Sequence, residues 1–301
     1  MIRLLVVLVS ALLVLGTPGH TQDRLTLGWG RLLDNDLLGD MQDRWHSGSY
    51  TVSVLRGPAW LGAPPGRMGS LIEFRVAGAT LAPANLQHPA PDDRRYAAPL
   101  SLGLRSHVTW AGLQASLGAD LVATGPQTGI GQFQSWLHGV LGVPKPDLTD
   151  QMGNAFFPTL QAELGKDLVL AKGVTVHPFV AAEAGVEHLV RAGGDIVIGN
   201  FGQGGLLLRD DTTGQRYRGI AGTDAAMSLT LGGDVAHVFG SAYLPDTGAA
   251  AALLTRTRLR AGIAWSGERA AAFYGVTYLP PEFESQPQGQ VVGSVNLNFR
   301  F

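Results

Sequence analysis

The sequence contains no cysteine. Disulfides and thiolate metal sites are therefore excluded. Charge is scarce as well. Asp, Glu, Lys and Arg make up 15% of the 301 residues, where a soluble globular domain carries about a quarter. Neither sign dominates: 22 basic and 24 acidic groups leave a formal net charge of −2. That balance lacks the basic footprint of a nucleic-acid-binding protein. Beyond the N-terminal segment no run reaches ~18 apolar residues, which excludes later transmembrane helices. No HExxH zinc motif and no GxSxG nucleophile elbow occur, so a zincin or an α/β-hydrolase is disfavoured. The chain shows neither an internal repeat nor a low-complexity tract.

What is present begins with an export signal. Met1-Ile2-Arg3 is a short positive start, and Leu4 to Leu15 is an apolar run of signal-peptide length. Thr17-Pro18-Gly19 supplies small residues for cleavage. Residues 1–22 read as a secretory signal peptide and residues 23–301 as the mature domain.

The mature domain alternates with period two, as a strand does when one face meets lipid and the other a polar lumen. In the last segment Val291, Gly293, Val295, Leu297, Phe299 and Phe301 share one face, and Ser294, Asn296, Asn298 and Arg300 the other. A final alternating strand ending in Phe resembles the assembly signal of outer-membrane barrels. Leu100–Leu104, Leu113–Leu121, Leu160–Leu164, Ala181–Glu187, Leu259–Trp265 and Ala270–Tyr278 repeat the pattern. Together they predict an all-β, transmembrane antiparallel barrel of about twelve strands in the outer membrane of a Gram-negative bacterium. A soluble β-sandwich also alternates, but the export signal and the terminal Phe favour the barrel. Trp29, Trp110, Trp265, Tyr274 and Tyr278 fall near strand ends, where an aromatic girdle would lie.

Connections are unequal. Ala171-Lys172-Gly173 and Ser266-Gly267-Glu268 are turn-like. Longer ones run from about Trp29 to Ser47, Gly78 to Pro99, Ala123 to Pro158, Gly199 to Asp224 and Tyr243 to Ala252. Barrels place short turns in the periplasm and long loops outside, so all five are expected on the extracellular side, with the active site near them. Phe133 to Leu141 has helical spacing within its loop.

Three early connections gather unusual polar residues: Asp34-Asn35-Asp36 through Asp40, Asp43-Arg44 and Ser47; Asp92 to Tyr96; and Gln134, His138, Asp150-Gln151. Taken singly, each is an ordinary polar loop. Taken together, they combine oxygen donors suited to a hard cation such as Ca²⁺ with a histidine suited to activating water. A cation beside an ester carbonyl stabilises the oxyanion, which is the logic of a calcium-assisted esterase.

At these residues the chain resembles the lipid A 3'-O-deacylase family of outer-membrane barrels. The resemblance is carried by Asn35-Asp36 with Asp43-Arg44 and Ser47-Gly48, by Asp93-Arg94-x-Tyr96-Ala97, and by Gly125-Pro126 through Gln134 and His138 to Gly142, Pro146 and Asp150-Gln151. It implies a twelve-stranded barrel and calcium-dependent removal of acyloxyacyl chains from lipid A. His138 would be the general base. Asn35 and Asp36 would hold Ca²⁺ and, with Ser47, complete the catalytic cluster; Arg94, Tyr96, Gln134 and Gln151 would bind substrate. Ser47 stands where the family usually has Thr. The chain departs from the family pattern at His46, at Pro91-Asp92, at Ala98 and at Leu148-Thr149.

Two mechanisms fit: water activated by His138, or Ser47 as a nucleophile activated by His138. The family's Thr favours water. Two other readings are a related esterase acting on phospholipid and a non-enzymatic barrel with a structural or narrow-pore role.

Overall fold

The structure, a computed structural model, describes residues 24–223, 226–267 and 270–299. The signal-peptide segment and the terminal Arg300-Phe301 lie outside them. Among the described residues fifteen strands occur in chain order: β1 (Leu25–Asn35), β2 (Trp45–Gly57), β3 (Leu71–Ala82), β4 (Leu100–Trp110), β5 (Leu113–Thr124), β6 (Ala155–Gly165), β7 (Leu168–Ala171), β8 (Val174–Ala184), β9 (Glu187–Ile198), β10 (Leu206–Arg209), β11 (Arg216–Ile220), β12 (Ala226–Ser241), β13 (Thr255–Ser266), β14 (Ala270–Leu279) and β15 (Gln290–Phe299). One α-helix, α1 (Ile130–Leu141), joins β5 to β6. β1 pairs with β15, and β6 with β8, all antiparallel. These two pairings close twelve strands into a barrel, leaving β7 as a short flanking strand and β10–β11 as a separate hairpin. Among the described residues no helix is long and apolar enough to cross a membrane.

The wall is inside out relative to a soluble protein. Leu102, Leu117, Leu160, Leu231, Leu259 and Leu297 point outward and are exposed. Their neighbours in the lumen are polar and buried: Glu73, Arg105, Asp120, Asp195, Asp234 and Arg260. The predicted girdle residues Trp29, Trp110, Trp265, Tyr274 and Tyr278 are all exposed. Many of the interior charges are matched in ion pairs. Asp234 meets Arg191, Arg258 and Arg260. Glu73 meets Arg75 at 2.6 Å and His107 at 2.7 Å. Removing one partner of such a buried set leaves an uncompensated charge, which is strongly destabilising.

The 199–223 segment corrects the expectation of an external loop from Gly199 to Asp224. It leaves β9 at the end of the barrel where β1 begins and β15 ends, and it folds back into the lumen as β10–β11. Leu206, Leu208, Tyr217 and Ile220 of this hairpin pack with Leu32, Leu55 and Phe273 from the wall. Arg209 reaches Glu163 at 2.8 Å and Asp195 at 2.9 Å. Asp211 reaches Arg105 at 3.0 Å. A hairpin that buries leucines on one side and pairs its charges on the other is more stable in the lumen than in water. The lumen is therefore plugged.

Two further boundaries differ from expectation. Trp29–Asn35 and Trp45–Ser47 belong to β1 and β2, so the first connection shrinks to residues 36–44. Ala181–Glu187 is split by a tight turn at Gly185-Val186, yet Glu183 and Glu187 still face the same lumen cavity.

Candidate active site

The site forms where β1, β2 and α1 meet, at the barrel end opposite the plug hairpin's base. β1 ends in a one-turn 3-10 helix over Asp36–Leu38. Asn35 caps that turn: its side-chain oxygen accepts from the Leu37 N–H at 2.9 Å, and its amide donates to the Ser47 carbonyl at 3.0 Å. Asp36 is wholly buried. One carboxylate oxygen accepts from the Arg44 N–H at 2.8 Å, and the other has no partner. Burial pushes the Asp36 carboxyl up to about 8; the Arg44 N–H opposes the rise, and repulsion from Asp43 and Asp40 adds to it.

Ser47 owes its orientation to an irregularity in the sheet. His46 pairs with Leu81 and Gly48 with Thr80, leaving Ser47 as the extra residue on β2. A bulge of this kind re-aims a side chain. The Ser47 hydroxyl donates to Asp43. It accepts a long contact from the Gln134 amide at 3.5 Å.

α1 is amphipathic. Gln134 and His138, one turn apart, are buried. Phe133, Trp136, Val140 and Leu141 are exposed on the lipid side. Gly142 ends the helix in the left-handed region, φ 69°, where a side chain would be strained. The chain then doubles back and sets the Pro144 carbonyl 2.5 Å from His138 Nδ1. A carbonyl only accepts, so Nδ1 carries the proton, and Nε2 of the neutral ring keeps its lone pair. Nε2 points towards Asp43, 3.4 Å from its carboxylate. Behind the helix, the Tyr96 hydroxyl donates to Gln134 at 2.7 Å. Burial pushes that phenol up to about 12, so it stays a donor.

Asn35, Asp36, Ser47, Gln134 and His138 thus line one cleft of about 730 Å³ on the outer wall. Tyr96 stands directly behind it. Arg94 and Gln151 are placed elsewhere. The Arg94 guanidinium turns to Glu282 at 3.3 Å, beside His46 in the mouth of the lumen. Gln151 donates to the Leu148 carbonyl of its own loop at 3.0 Å. Asp43, singled out in sequence only as part of a motif, proves to be the residue that joins Ser47 to His138. Its place four residues before Ser47 was visible, but its reach to a helix about ninety residues later was not. His46, one of the departures from the family pattern, bonds Glu282 at 2.7 Å and ties β2 to the 280–289 connection.

The oxygen-rich donor set suits a hard cation. Among the described residues no three His, Asp or Glu side chains converge as a ready metal shell. The unpartnered, buried oxygen of Asp36 is the feature that fits one.

The profile of the outer membrane protein LpxR family matches residues 4–301. The chain belongs to the LpxR family. This is the deacylase family that the three loop stretches resemble. LpxR from Salmonella typhimurium superposes with a TM-score of 0.75 at 18% identity, covering 91% of this chain and 100% of that one. It shares the barrel fold. The β domain of the Bordetella autotransporter Brka gives 0.44 at 12% identity over 91% and 99% of the two chains. The COG4313 outer membrane channel from Pseudomonas putida F1 gives 0.45 at 11% identity over 94% and 98%. No curated protein matches. Membership of the LpxR family makes this chain an outer-membrane barrel.

Proposed function

We propose that the chain hydrolyses an ester-linked acyl chain of lipid A in the outer leaflet of a Gram-negative outer membrane, after export with a cleaved signal peptide. The observation that carries this reading is the His138 ring. Its Nδ1 is held by Pro144, and its Nε2 faces the polar end of a cleft that opens on the lipid-facing wall. A base at the lipid boundary suits a substrate that never leaves the bilayer.

The reaction follows from the residues present. His138 Nε2 takes a proton from water while the water oxygen attacks the ester carbonyl carbon. The bond from that carbon to the alcohol oxygen then breaks. The departing alkoxide takes the proton back from His138, leaving a free fatty acid and a hydroxyl on the lipid. Asp43 orients Ser47 with one carboxylate oxygen and faces the same Nε2 atom of His138 with the other. Tyr96, through Gln134, keeps the Ser47 hydroxyl in place. Asn35 and Asp36 would hold Ca²⁺, which supplies positive charge to the carbonyl oxygen when bound. Ser47 donates to Asp43 rather than to His138, which favours water over a serine nucleophile. The plugged lumen argues against a pore.

The test is acyl release from lipid A by purified protein in detergent, with calcium and with chelator, beside His138→Ala. Release that needs both calcium and His138 is the expected result. Release from phospholipid alone would retarget the enzyme, and no release from either lipid would overturn the reading.

A further inference from the structure

We infer that the cleft continues into an apolar groove that measures the length of the scissile acyl chain, with Ile130 as its end stop. This inference rests on the deacylase reading for its substrate, an acyl chain in ester linkage. The register of the wall defines the floor. Asn35 pairs with Gly48 and Gly48 with Thr80 at the level of the catalytic groups. Two residues deeper on the same outward face, Leu33 pairs with Tyr50 and Tyr50 with Gly78. Leu33 and Tyr50 are exposed towards lipid. α1 forms the other side. It runs from Ile130 against this deeper row up to His138 at the polar end, contributing Phe133 and Leu137 to the lining.

Gly78 is what allows the helix to lie so close. A β-carbon there would stand 3.1 Å from the Ile130 Cδ1 atom, so any side chain would push against the helix. Ile130 therefore closes the deep end of the groove at Gly78. Helical rise puts it about 12 Å along the axis from His138. One end of the cleft is polar, with Asp43, Ser47 and His138; the other is apolar and points into the hydrocarbon layer. An ester with a fatty chain has that polarity in that order. A sugar, a peptide or a second protein does not. The occupant is accordingly the acyl chain of the scissile ester.

Each methylene that the groove covers should raise kcat/KM by about fourfold, the value of burying one CH₂. Beyond Ile130 the gain should stop. The experiment measures kcat/KM on esters of one alcohol with butyryl, hexanoyl, octanoyl, decanoyl, dodecanoyl and tetradecanoyl chains. A second measurement follows displacement of a fluorescent fatty acid from the intact barrel by fatty acids of the same lengths. The wild type should show a rise and then a plateau in both. Ile130→Ala should move the break to longer chains, and Gly78→Val should move it to shorter ones. A profile without a break, or a break that neither variant moves, overturns the ruler. If the displacement series shows the break and the variants move it, but no ester and no lipid A is cleaved, the groove stands and the deacylase reading falls.

Discussion

The Nε2 atom of His138 lies 3.4 Å from one oxygen of Asp43, whose other oxygen accepts a hydrogen bond from the Ser47 hydroxyl. Because Nδ1 donates to Pro144, the neutral ring turns a lone pair towards a carboxylate. Two acceptors face each other across a gap too wide for a strong direct hydrogen bond. A proton entering this gap satisfies both, which is what a base poised for water requires. Asp43→Asn should therefore be worse than Asp43→Ala. An asparagine amide can donate to Nε2 and occupy the lone pair, whereas alanine cannot. The expected loss in kcat for Asp43→Asn is about 10²-fold or more, within the range of general-base contributions. Equal losses in the two variants would show that Asp43 acts only through Ser47.

Calcium should be readable in stability as well as in turnover. Asp36 is a buried carboxyl with an oxygen that nothing satisfies. A ligand that binds only the folded state raises stability with its concentration. Added calcium should raise the melting temperature of the wild type and raise that of Asp36→Asn much less. In chelator, Asp36→Asn should melt no lower than the wild type, because burial already disfavours the ionised carboxyl and the amide carries no charge to bury. A calcium shift of equal size in both proteins would place the ion elsewhere.

Tyr96 and Gln134 should act as one unit. Tyr96→Phe leaves the Gln134 carbonyl oxygen without its 2.7 Å donor. An unsatisfied buried acceptor costs about 1–3 kcal/mol. Combined with Gln134→Leu, which removes the acceptor, the double variant should be less damaged than the two single losses added. A coupling of about 1 kcal/mol in unfolding measurements would express this. Strict additivity would show that the two side chains are independent.

The mouth of the lumen should carry an acid-sensitive clamp. Burial raises the Glu282 carboxyl, but the His46 ring, Arg256 and Arg94 more than reverse this and hold it well below the usual range. A depressed carboxyl stabilises the fold above its unfolded value of about 4.3, and that contribution is lost as the pH falls through the folded value. Glu282→Gln should melt lower than the wild type at neutral pH. The difference should shrink as the pH falls below about 4. A constant difference across that span would remove Glu282 from the acid response.

Much of the site was legible locally. Gln134 and His138 are spaced one helical turn apart, so their shared face follows from sequence once the helix is granted. The helix itself starts at Ile130, three residues before the periodic segment Phe133 to Leu141, because Gly129 rather than an apolar contact marks its start. Arg94 and Tyr96 sit in one short stretch yet part company. Tyr96 enters the apolar cluster with Ala82, Leu86 and Ala98 and reaches the site, whereas Arg94 turns to a carboxylate from the 280–289 connection. No spacing rule separates them, since the partner that draws Arg94 away lies 188 residues distant.

The amino-acid sequence by itself determined the barrel, its membrane setting and the family. Strand alternation is a period-two property of consecutive residues, and a motif is a string; both can be read without knowing what meets what. The tertiary structure alone decided that residues 199–223 turn into the lumen, that the bulge at Ser47 aims its hydroxyl outward, and that Asp43 bridges Ser47 and His138. Those outcomes depend on sheet register and on contacts between distant loops. Burial and charge pairing act there through space, and a long polar connection looks the same in sequence whether its charges are matched by water or by the inner wall of a barrel.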